Sequence, residues 1–152
     1  MKTLVLGLGN PILSDDGAGF YVAEELKTRL NGQDIKVEQA SAGGLAMLDL
    51  LAGYDKAIII DAIQTGKGEA GQVYQLKPEA FITTLHASSL HDVNFSTALE
   101  LGRKLGVPLP GEIDIFAVEV EDVTTFSERC TPAVADVIPV LVEMVIRELN
   151  KE

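Results

Sequence analysis

Three aspartates and two histidines in this 152-residue chain have the types and settings for chemistry. Asp15 and Asp16 are adjacent. They follow a glycine-rich phrase, Gly7-Leu-Gly-Asn-Pro11, and precede Gly17-Ala-Gly19. Asp61 ends the apolar run Ala57-Ile-Ile-Ile60, and both histidines, His86 and His91, fall in one polar stretch before a helical pattern. Two carboxylates and an imidazole make a mixed oxygen–nitrogen donor set, which suits a borderline divalent metal such as nickel or zinc. A carboxylate whose pKa is raised by burial can also serve as a general base, a role open to Asp16 and Asp61.

Each residue has a plainer reading. Capping a helix needs one carboxylate, so one of Asp15 and Asp16 is expected to bond the first free amides of the helix that follows. Asp61 could bond backbone amides of the next turn, although a carboxylate at a buried strand end is costly without a partner. His86 reads as a surface histidine. His91 reads either as a surface residue or as a ligand. The single cysteine, Cys130, sits beside a helix start in Glu-Arg-Cys-Thr, a setting that can lower a thiol pKa and would allow a cysteine nucleophile, although a stray thiol is the commoner case.

The glycine phrase does not fit the common phosphate loops. A dinucleotide fingerprint needs a third glycine where Ile12 stands, and a P-loop ends in Gly-Lys-Ser/Thr where this one ends in aspartates.

Placing these residues requires alternating strands and helices. Thr3 to Leu8 is an unbroken apolar run, as in a strand covered on both faces. Gly19 to Leu30 has one apolar stripe at Val22, Ala23, Leu26 and Leu30, predicting a helix capped by Asn31-Gly32. Strands are expected at Ile35–Ala40, nearer an edge, at Lys56–Asp61, at Gln72–Leu76 and at Glu112–Glu119. Helices are expected at Leu45–Ala52, closed by Gly53, briefly after Pro78, at Phe95–Leu105, stopped by Gly106 and Pro108, and from Thr131-Pro132 onward, with a kink at Pro139. Gln64–Gly71 reads as a surface loop.

The expected architecture is a single domain over residues 1–152: a three-layer α/β/α sandwich with a mostly parallel, twisted sheet of about five strands, the one near Gln72 antiparallel at an edge. In the common 2-1-3 strand order, the loops carrying Asp16 and Asp61 open on one crevice at the carboxyl ends of the strands, within reach of a loop bearing His91.

A net charge of −11 opposes binding to nucleic acid or to anionic membranes. One cysteine permits no internal disulfide and fits a reducing compartment. Met1-Lys-Thr leads straight into a core strand, unlike a signal peptide, and the late apolar stretch 132–146 is too short to span a bilayer, so the cytoplasm is expected.

Taken as an ordered set, Gly7-Leu-Gly-Asn10, Asp15-Asp16-Gly-x-Gly19, the run into Asp61-Ala62, and Ser89-Leu-His91-Asp92 ahead of a helix resemble the hydrogenase maturation endopeptidases. The resemblance implies a twisted sheet between helices. It also implies an endopeptidase that cuts a C-terminal peptide from the large-subunit precursor of a nickel-iron hydrogenase once nickel is in place. Asp16, Asp61 and His91 would be the metal ligands, and the nickel would be the substrate's own rather than a permanent cofactor. A nickel-binding accessory that docks without cutting is the alternative. The family's acid before the glycine pair after strand two is absent here, where Ser41-Ala42 precedes Gly43-Gly44, and its threonine after that pair is Leu45. Peptidyl-tRNA hydrolases open with a similar phrase, but their essential histidine falls in a stretch where this chain has none before His86.

Overall fold

The computed structural model describes residues 1–30, 32, 34–41, 45–79 and 95–151. In chain order the elements are β1 (Thr3–Leu8), a 3-10 turn (Ser14–Gly17), α1 (Ala18–Arg29), β2 (Ile35–Ala40) and α2 (Ala46–Leu51). They continue with β3 (Lys56–Ile63), β4 (Val73–Leu76), α3 (Phe95–Lys104), β5 (Glu112–Glu119) and α4 (Pro132–Leu149). One sheet runs in the order β2-β1-β3-β5-β4. All neighbours are parallel except β4, which pairs antiparallel with β5 at the edge.

The side-chain period of a strand sorts the core into two layers. Leu4, Leu6, Ala57, Ile59, Ile63, Ile113 and Ile115 face α2 and α3. Val5, Ile58, Ile60, Ala62, Phe116 and Val118 face α1 and α4. The expected three-layer α/β architecture is therefore present, with β2 at the outer edge. Gly53 and Gly106 follow their helices with φ of 92° and 80°, as helix-stopping glycines do. α4 runs unbroken through Pro139. Asn31 of the expected cap, and most of the short helix expected after Pro78, lie outside the described residues. Among the described residues, no helix is long and apolar enough to cross a membrane.

Two departures from the sequence reading concern the site. β3 extends two residues past Asp61, which therefore lies within the strand, opposite Ala117 of β5, rather than at its end. The helix after the paired aspartates starts at Ala18, preceded by a 3-10 turn that contains both.

Glycine brings that turn against the sheet. A Cβ on Gly7 would meet the Gly19 carbonyl oxygen and lie 2.7 Å from the Ala23 Cβ. One on Gly19 would meet the Ile60 carbonyl oxygen and lie 2.6 Å from that of Leu8. The start of α1 thus rests directly on the backbone of β1 and β3, a separation only hydrogen permits at these positions.

At the amino ends of β3 and β5, Lys56 pairs with Glu112 at 3.1 Å and Glu148 at 3.7 Å, and Lys77 pairs with Asp114 at 2.7 Å. These acids are balanced by lysines and lie at the opposite end of the sheet from Asp16 and Asp61.

Gly19→Ala should destabilise the protein by about 3 kcal/mol, because the clash is with backbone rather than with a flexible side chain. Gly111→Ala, where nothing lies within 4 Å of the added Cβ, should stay within about 0.5 kcal/mol of the parent. Urea denaturation of the two variants checks the contrast.

Candidate active site

The two sheet neighbours β1 and β3 send the chain in opposite directions, β1 to β2 and β3 to β4 on the far side of β5. Sites in open α/β sheets form at such a reversal, at the carboxyl ends of the strands. The 3-10 turn that carries Asp16 follows β1 there, and Asp61 stands near the carboxyl end of β3.

Asp16 is 1% exposed. Its Oδ2 accepts the backbone N–H of Asn10 at 3.1 Å. Its Oδ1 is buried and has no hydrogen-bond partner among the described residues. Burial pushes the carboxyl pKa up to about 6, the negative charge of Asp61 adds to the rise, and the Asn10 N–H partly opposes it. Asp61 is also buried, and its Oδ1 accepts the N–H of Ala62 at 2.8 Å, an amide of β3 itself rather than of a following turn, and its charge is felt at Asp16. In the alternation of β3 it shares a face with Ile59 and Ile63, toward α2 and α3.

Asp15 does something else. Neither aspartate caps α1, whose N-cap is Gly17 without a side-chain bond, so the capping expectation is corrected. Successive residues of a tight helical turn point more than 100° apart, and the Asp15 carboxylate turns away toward segment 121–131. It accepts the N–H of Glu121 at 3.2 Å, of Asp122 at 3.1 Å and of Thr131 at 2.6 Å, and the Thr131 hydroxyl at 2.8 Å. Thr131 stands at the N-cap of α4 as expected, but its hydroxyl goes to Asp15 rather than to the helix. The bond spans 116 positions, so no local pattern could have announced it.

The turn also holds Ser14 at φ 53°, a left-handed conformation costly for a residue with a Cβ. Three anchors keep it there: the Ser14 N–H donates to the Ser127 carbonyl at 2.9 Å, its hydroxyl to that of Arg129 at 3.1 Å, and Asp15 lies next in the chain. Cys130 packs against the same turn. Burial and then the charge of Asp15 push its thiol up to about 11, which leaves it almost fully protonated at neutral pH and opposes the alternative of a cysteine nucleophile.

Glu119, which the sequence reading did not single out, is buried at the end of β5 and accepts the N–H of Thr65 at 2.8 Å and the Tyr74 hydroxyl at 3.0 Å. It ties the loop after β3 to the strands beside the crevice. Ser41 donates to the Gly9 carbonyl at 2.6 Å, while Glu38 pairs with Lys36 at 3.4 Å on the edge strand. His86 and His91 lie outside the described residues, as do Ala42, Gly43 and Gly44. α3, which begins four positions after His91, packs on the face toward which Asp61 points.

Two measurements probe the pair of aspartates. The folded-state pKa of Asp16 exceeds its unfolded value, so its contribution to stability is fully present below about pH 3.8 and is lost as pH rises through about 6. Asp16→Asn removes that titration. Thermal denaturation should therefore show the variant gaining on the parent between pH 4 and pH 7. Asp15→Ala leaves three amides and a hydroxyl without their acceptor and should cost about 3 kcal/mol by urea denaturation at neutral pH.

The fold and this site have relatives. A sequence profile described as hydrogenase maturation protease matches residues 20–148. The hydrogenase 2 maturation protease of Escherichia coli K12 is 27% identical over 99% of this chain and 92% of its own length. The hydrogenase expression/formation protein HupD of Bradyrhizobium diazoefficiens is 26% identical over 97% of this chain and 78% of its own. Among solved structures, the hydrogenase maturating endopeptidase HybD of E. coli superposes with a TM-score of 0.81 at 27% identity, covering 99% of this chain and 93% of that one. With the profile spanning most of the sequence, the non-cutting accessory is set aside: the chain belongs to the hydrogenase maturation protease family and is a peptidase of hydrogenase maturation.

Proposed function

We propose that this peptidase removes a C-terminal peptide from the nickel-loaded large-subunit precursor of a nickel-iron hydrogenase, in the cytoplasm, and reads the nickel with Asp16, Asp61 and His91. The observation that carries the reading is the Asp16 carboxylate. It is buried, one oxygen is unpartnered among the described residues, and its pKa is raised by a second acid. A protein holds two carboxylates this way where a cation is to arrive, since a divalent ion relieves both the desolvation and the mutual repulsion. Carboxylate and imidazole donors suit nickel. The family acts on large-subunit precursors, so the ion comes with the substrate and is not a resident cofactor.

Asp16 also has a chemical role available. With a pKa near 6 it is mostly ionised at neutral pH yet more basic than an ordinary carboxylate. It can therefore take the proton from a water that attacks the scissile carbonyl. Asp61 holds the negative charge that keeps Asp16 basic. Cys130 is left out, because its protonated thiol is a poor nucleophile.

Precursor mass, measured after incubation with and without bound nickel, tests the reading. Nickel-loaded precursor should lose its C-terminal peptide and nickel-free precursor should remain intact. Asp16→Asn, Asp61→Asn and His91→Ala should each slow cleavage by about a hundredfold or more, while His86→Ala should stay within about twofold of the parent. Equal cleavage of the nickel-free precursor would remove the metal from recognition. Loss of cleavage in His86→Ala but not in His91→Ala would exchange the two histidines.

A further inference from the structure

Segment 121–131 is fastened to the turn that carries Asp16 by more than Asp15. The Ser127 N–H donates to the Ile12 carbonyl at 2.9 Å, and the Ser14 N–H donates back to the Ser127 carbonyl at 2.9 Å, forming a short parallel bridge at Leu13 and Ser127. The Tyr21 hydroxyl lies 2.5 Å from the Pro11 carbonyl and 2.6 Å from that of Glu128. Within the segment, the Asp122 carboxylate accepts the N–H groups of Thr124 at 3.1 Å and Thr125 at 3.0 Å. Loops so heavily bonded are held in one shape.

On this held surface stand two apolar side chains in solvent. Phe126 is 82% exposed and Ile12 is 48% exposed. Together with Ser127, Glu128 and Arg129 they line an open cleft of about 500 Å³. A free phenylalanine on a mobile loop tip would be unremarked. One placed next to a bonded bridge, on the segment that buttresses Asp16, has surrendered its freedom before any partner arrives, and that lowers the ordering cost of binding. Of the charged residues that line the cleft, Glu128 and Arg129 offset each other; Glu121 and Asp122, on the same segment, make its net charge negative.

We propose that Ile12 and Phe126 form the surface on which the large-subunit precursor docks, receiving an apolar side chain flanked by basic ones. The inference rests on the reading above that this precursor is the substrate. Continuity with the Asp16 turn argues for the occupant: Ile12 and Phe126 stand on the two segments that bridge at Leu13 and Ser127, and the first of them leads directly into the turn that carries Asp16, so a chain held there is held beside that turn. The acidic surround argues for its charge. A second copy of this chain, itself at −11, would be repelled at such a surface.

The test is fluorescence anisotropy of labelled, nickel-loaded precursor titrated with the parent protein, Phe126→Ser, Ile12→Ser and Glu128→Lys, with cleavage followed in parallel by mass. Phe126→Ser should raise Kd about tenfold, the loss typical of an interface aromatic. Ile12→Ser and Glu128→Lys should raise it about three- to fivefold. Apparent KM should rise with kcat within about twofold of the parent. Since the Phe126 side chain is outside the core, its variant should melt with the parent. Unchanged Kd in Phe126→Ser and Ile12→Ser, or no binding by the parent, overturns the proposal. Phe126-dependent binding of a precursor that is never cut would uphold the docking surface and overturn the cleavage reading, so the two fail separately.

Discussion

Two buried carboxylates, Asp16 and Asp61, stand near enough that the charge of one raises the pKa of the other, and the surrounding structure holds them there. Taking Asp16 out of water disfavours its charge, and Asp61 nearby disfavours it again, which is why its pKa stands near 6. Among the described residues the protein supplies one amide, from Asn10, and no donor to the other oxygen. Asp15, by contrast, has both oxygens engaged by donors from segment 121–131. Under the proposed function, the Asp16 oxygen left over is the one a cation would meet, and the ion would offset the penalty of burying the charge.

Holding such a pair requires a scaffold that does not relax away from it. The close seat of α1 on β1 and β3, made possible by hydrogen at Gly7 and Gly19, sets the depth of the turn. The left-handed Ser14 sets its direction. Segment 121–131 closes the other side through Asp15, Tyr21 and the bridge at Ser127. Strain at one residue persists because contacts more than a hundred positions away over-determine it.

Much of this was legible in the sequence where the determinant was local. The unbroken apolar runs of β1 and β3 announced buried parallel strands, Glu112–Glu119 was found with its observed bounds, and the half-alternating Val73–Leu76 emerged as the antiparallel edge. The end of β3 was misplaced because a carboxylate normally marks where a buried strand stops, and here Ala62 and Ile63 continue the ladder with β5. The Asp15 anchor and the Glu119 network were invisible for another reason. Their partners come from distant elements, and nothing in residue type or spacing foretells which backbone amides will meet a given carboxylate. The same limit left an activated Cys130 open as an alternative: the neighbouring helix start allowed a lowered pKa, whereas burial and Asp15 raise it.

Asp15 and Asp16 make the general point in its smallest form. They are the same residue, consecutive in the chain, both buried, both in one 3-10 turn. One accepts bonds from three amides and a hydroxyl and is a structural rivet. The other has, among the described residues, a single amide, and burial together with an acidic neighbour raises its pKa. Helical geometry separates them, by turning successive side chains about 120° apart. The chemistry of a carboxylate in this protein is therefore set by what lies along its direction of projection. An exchange of roles would require rotating the turn, which Gly19 on one side and Ser127 on the other do not allow.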